Sequence, residues 1–66
     1  MYKVGDLIRF GYINGHTGHL NRKTGVYLGS FPNPAANVFS EKILMIGEST
    51  PRYIDARLIT YAEVVK

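Results

Sequence analysis

Asp6-Leu7-Ile8-Arg9-Phe10-Gly11-Tyr12-Ile13-Asn14-Gly15 is the stretch whose reading decides the fold. It is rich in β-branched and aromatic residues, which fit a half-buried pleated surface better than a helix. Ile8 and Phe10 alternate with Leu7 and Arg9, so one face turns to a core while Arg9 turns to water. Gly11 interrupts the run and predicts a bulge that bends the strand. Asn14-Gly15 then predicts a tight type I′ hairpin turn, since both residues tolerate positive φ. A strand that bends and doubles back within ten residues belongs to a small β-structure.

The rest of the chain continues the pattern. His16 to Thr24 is polar and reads as the far side of that hairpin or a long exposed loop. Gly25 opens a second strand, Val26-Tyr27-Leu28, with Val26 and Leu28 on one face. Phe31-Pro32-Asn33-Pro34-Ala35-Ala36-Asn37 reads as a loop, because prolines 32 and 34 cannot donate to a ladder. Val38 to Glu48 resumes β-character around Ile43-Leu44-Met45-Ile46. A helix over Asn37 to Met45 competes there, and the Pro/Asn flank on one side with Gly47 on the other favours a strand. Arg52 to Asp55 is a short strand, Ala56 to Ile59 a single helical turn, and Ala62 to Val65 a closing strand. The expected fold is mostly β: a small five-stranded SH3-like barrel, with one short helical turn near the C-terminus. The expected core is Val4, Ile8, Phe10, Val26, Leu28, Leu44, Ile46, Ile54, Leu58 and Val64.

Sixty-six residues support one domain, residues 1–66, with no room for a second core. No cysteine is present, which rules out a disulfide framework and thiolate metal sites and suits a reducing cytosol. The longest uncharged apolar stretch, Ile43 to Ile46, is too short to span a bilayer. The first residues lack the apolar run of a signal peptide. A cytoplasmic protein without a membrane partner is the expectation. Eight Lys and Arg oppose five Asp and Glu, for a formal charge of +3. That excess is compatible with a polyanionic partner without requiring one.

Lys3-Val4-Gly5-Asp6-Leu7-Ile8-Arg9-Phe10, followed by Thr24-Gly25-Val26-Tyr27-Leu28, resembles the start of SH3-like barrels, KOW-type domains among them. The close, Tyr53-Ile54-Asp55-Ala56 through Val64-Val65, resembles the last strands of small barrel proteins of tailed bacteriophages. The resemblance implies a barrel that binds something, and a phage-like accessory or regulatory protein acting in the host-cell cytoplasm.

Two recognition surfaces follow from the residues. Phe31, braced by prolines, with Asn33 and with Tyr53 on a later strand, is a candidate contact for a larger protein, because a stiff apolar tip loses little entropy on docking. Arg22 and Lys23, with Arg9, Arg52 and Arg57, are candidate contacts for the phosphates of DNA or RNA. Tyr12, Tyr27 and Tyr53 are candidate stacking faces beside them. His16 and His19 have the spacing of a helical ligand pair, but Gly15 and Gly18 argue against a helix, so no metal is expected. Ser30, Ser40 and Ser49 lack evident His/Asp partners, and no Gly-x-Ser-x-Gly elbow or phosphate loop is present. No cofactor and no catalysis are expected: the chain reads as a non-enzymatic binding module.

Overall fold

The computed structural model describes residues 2–66. Five strands follow one another in chain order: β1 (Leu7–Ile13), β2 (Leu20–Asn33), β3 (Val38–Met45), β4 (Arg52–Asp55) and β5 (Ile59–Val64). A short 3-10 helix, Ala56–Leu58, joins β4 to β5. All pairings are antiparallel, in the order β4-β3-β2-β1-β5. The mostly-β, five-stranded architecture and the helical turn near the C-terminus are those expected from the sequence. Val38–Met45 is a strand, which disposes of the competing helix.

One cluster serves as core: Ile8 and Phe10 from β1, Tyr27 from β2, Ile43 and Met45 from β3, and Ile54 from β4. Ile59, Ala62 and Val64 of β5 pack against it. In a flat sheet β4 and β5 would lie four strand spacings, or ~19 Å, apart. Their sharing of a core therefore requires the sheet to curl into an open barrel. Among the described residues β4 and β5 do not pair with each other.

β2 makes the curl possible. Its first half, Leu20 to Val26, pairs with β1, and its second half, Gly25 to Asn33, pairs with β3. The register slips between Tyr27 and Gly29, and Gly29 sits at φ +126°, which a side-chain-bearing residue rarely adopts. A second slip falls between Gly11 and Tyr12 in the β1–β5 ladder, where Gly11 predicted a bulge.

Several local expectations are corrected. Asn14-Gly15 is not a type I′ turn, as neither residue has positive φ. Residues 14–19 form a longer loop instead, in which the Asn14 side chain accepts from the backbone N–H of His16 (2.8 Å) and Thr17 (3.1 Å). Asparagine's own hydrogen bonds outcompete the tight turn. Leu20 to Thr24 is the far side of the hairpin, the first of the two readings given for it, and Phe31 to Asn33, expected as a loop, belongs to β2 as well. Pro32 is tolerated because only β3 flanks that end of the strand. In β2 and β3 the inward face is one residue out of phase with the expectation. Tyr27, Ile43 and Met45 are buried, whereas Val26, Leu28 and Leu44 are half-buried. Val4 and Ile46, expected in the core, are 63% and 69% exposed. Ile8, Phe10 and Ile54 lie in the core, as expected.

Candidate binding surfaces

Phe31 and Tyr53 come together, although they are far apart in the chain. Phe31 of β2 pairs across the ladder with Ser40 of β3, and Tyr53 of β4 with Lys42 of β3, which places both rings on the same side of the sheet, on the two strands that flank β3. Their centroids are 6.3 Å apart at an interplanar angle of 64°, an edge-to-face contact. The Lys42 ammonium lies 5.8 Å from the Phe31 centroid and 5.7 Å from that of Tyr53, within cation–π range of both. The Phe31 ring covers Gly29, where a Cβ would come within 3.2 Å of it. The bulge that bends β2 is therefore also the seat of this ring. Both rings remain open to water, Phe31 at 43% and Tyr53 at 61%. Asn33 does not join them. It lines a separate shallow cleft of about 120 Å³ with Pro32, Pro34 and Phe39 at the tip of the β2–β3 hairpin.

Arg9, Arg22 and Lys23 gather elsewhere, in a groove of about 310 Å³ with Thr24, Ile46 and Tyr61. The groove opens where β2 extends beyond β3, so that Arg22 and Lys23, although adjacent in sequence, both line it. Tyr61 of β5 lies opposite Gly11 of β1. Its ring occupies the space of the missing side chain: a Cβ on Gly11 would collide with Tyr61 Cε1. Arg9 donates to Glu63 Oε1 at 3.0 Å.

The other two candidate cations are held differently. Arg52 grips Glu48 with two hydrogen bonds, of 3.0 and 2.7 Å, and lines a further hollow of about 250 Å³ with Tyr12, His16, Tyr53 and Leu58. Arg57 pairs with Asp55 at 2.8 Å, and the Asp55 carboxylate also accepts from the Arg57 backbone N–H, capping the 3-10 helix. These bonds hold the Asp55 carboxyl below its usual pKa. Of the five proposed phosphate contacts, Arg9, Arg22 and Lys23 thus share one groove, with Arg9 paired to Glu63 there, while Arg52 and Arg57 stand outside it in ion pairs of their own.

The tyrosines sort differently from the expectation. Tyr27 is buried in the core and unavailable for stacking. Tyr12 is half-buried and stacks on Phe10, with centroids 6.0 Å apart. Tyr53 belongs to the Phe31 cluster. Tyr61 stands beside the cations instead, and only the β1–β5 register, which no local motif encodes, reveals it.

A polar cluster lies inside the barrel. Glu41 is 9% exposed, and the Tyr27 hydroxyl donates to its Oε1 across a long 3.5 Å. Its Oε2 has no partner among the described residues. Tyr2 meets Tyr27 edge-on, with centroids 4.7 Å apart. Burial, and then the negative charge of Glu41, push both tyrosine hydroxyls above their ordinary pKa. Among the described residues no helix is long and apolar enough to cross a membrane. Compared with known proteins, the chain matches no family model, no curated protein and no solved structure.

Proposed function

We propose that the chain is a non-enzymatic protein-binding module, and that the Phe31–Tyr53–Lys42 cluster is its contact surface. The observation that carries this reading is the exposure of two aromatic rings in mutual contact with a lysine ammonium over both. Burying such rings is costly to forgo and inexpensive in entropy, which is why aromatic anchors dominate interface energetics. Lys42 gives the surface a sign: it suits a partner that presents a carboxylate beside an apolar or aromatic side chain. The resemblance of the closing segment, Tyr53 through Val65, to small barrel proteins of tailed bacteriophages favours an accessory or regulatory role. A nucleic-acid alternative draws on a different surface, the groove of Arg9, Arg22, Lys23 and Tyr61.

The test is capture of a partner from nuclease-treated native extract by the intact chain, Phe31→Ala, Tyr53→Ala and Lys42→Ala. The partner should be retained by the native chain and lost by both aromatic variants, with Lys42→Ala intermediate. All three should stay folded, since none of these side chains is in the core. Retention by both aromatic variants at undiminished affinity would refute the proposal.

A further inference from the structure

We infer that the groove between β2 and the β3–β4 turn is a second binding site, for single-stranded nucleic acid, with one base stacked on Tyr61 and the flanking phosphates held by Arg22 and Lys23. This goes beyond the protein-binding reading, because the groove shares no residue with the Phe31 cluster.

Charge points to an anion. Arg22 and Lys23 line the groove and form no salt bridge among the described residues. The carboxylates nearby are already engaged: Glu48, on the groove wall, by Arg52, and Glu63 by Arg9. The Arg9–Glu63 pair is more than half exposed on both sides, so it is held weakly and Arg9 can exchange its carboxylate for a phosphate.

The aromatic ring narrows the class of anion. Tyr61 is 38% exposed and rests on the bare backbone of Gly11, which fixes it without enclosing it. A seated, partly open ring beside cations is the arrangement that accepts a base and its phosphate together. A base in a duplex is stacked on its neighbours and cannot offer its face. Among the described residues the only helix is three residues long, too short to read a major groove. The ligand that uses both features is an unpaired strand.

The test is a titration of the full chain with a fluorescent oligothymidylate, the matching duplex, and polyglutamate as an acidic-protein probe. At ~50 mM salt the single strand should bind more tightly than the other two, and the affinity should fall roughly tenfold by ~200 mM salt, the loss for two or three phosphates. Tyr61→Ala should weaken binding at least about fivefold while Tyr61→Phe retains it. Arg22→Ala/Lys23→Ala should weaken binding and flatten the salt dependence. Phe31→Ala/Tyr53→Ala should leave it unchanged, which separates this site from the protein surface. No binding at ~50 mM salt overturns the inference. So does duplex or polyglutamate binding as tight as that of the single strand, or indifference to Tyr61→Ala.

Discussion

Glu41 is the residue whose burial most needs a reason. A carboxylate in a small barrel is stabilised only if its oxygens are satisfied, and here Tyr27 offers one long hydrogen bond to one of them. Glu41→Gln keeps the shape, leaves an oxygen for the Tyr27 hydroxyl and removes the charge. It should therefore raise stability by about 1 kcal/mol in urea denaturation. A loss of that size would mean that the carboxylate is better satisfied than this. The same cluster sets an alkaline limit. Tyr2 and Tyr27 have pKa values raised above the ordinary 10.0, so the folded state holds their protons more tightly than the unfolded chain. Their contribution is complete below about pH 10 and is lost as the pH rises through the raised values. Tyr27→Phe should reduce this alkaline loss, measured by circular dichroism between pH 8 and pH 12; an unchanged profile would count against the cluster. At this scale the sequence was partly legible. A proline-braced Phe31 announces itself. Tyr61 and Lys42 do not, because each matters only through the residue across the ladder.

Strand phase is where sequence reading succeeded and failed for definable reasons. In β1 the alternation of Ile8 and Phe10 with Arg9 contains a charge, and the charge fixes which face is wet. Val26-Tyr27-Leu28 and Ile43-Leu44-Met45 contain none, so either parity is plausible and a slip of one residue exchanges the faces. The structure buries Tyr27, Ile43 and Met45. The bulge at Gly29 then resets the register so that Phe31 turns outward. Gly29→Ala should cost about 1–3 kcal/mol in chemical denaturation, because its φ of +126° is strained for alanine and the added carbon presses on the Phe31 ring. Unchanged stability would place the bulge elsewhere. The Asp55 cap of the 3-10 helix makes a pH-dependent contribution of opposite sense to the tyrosines. Its lowered pKa means stabilisation that is complete above the ordinary 3.8 and is lost as the pH falls through the lowered value. The stability difference between the native chain and Asp55→Asn should accordingly shrink on acidification, and a difference constant from pH 7 to pH 2 would contradict the cap.

For the molecule as a whole, the five-stranded arrangement was legible from turn spacing and chain length, whereas the grouping of functional side chains was not. Arg9, Arg22 and Lys23 meet because β1 and β2 pair in one particular register, and Phe31 meets Tyr53 because β3 lies between their strands. The curl that lets β4 and β5 share a core leaves two chemically distinct surfaces, one aromatic with a lysine over it and one cationic with a single seated ring. The most direct test of this arrangement is the two-dimensional NOE spectrum of the native chain. It should show cross-peaks between the Gly11 α-protons and the Tyr61 ring, with those α-protons shifted upfield, and cross-peaks between the Phe31 and Tyr53 rings. Gly11 α-protons at ordinary shifts without contact to Tyr61, and no contact between Phe31 and Tyr53, would contradict the register and both surfaces built on it.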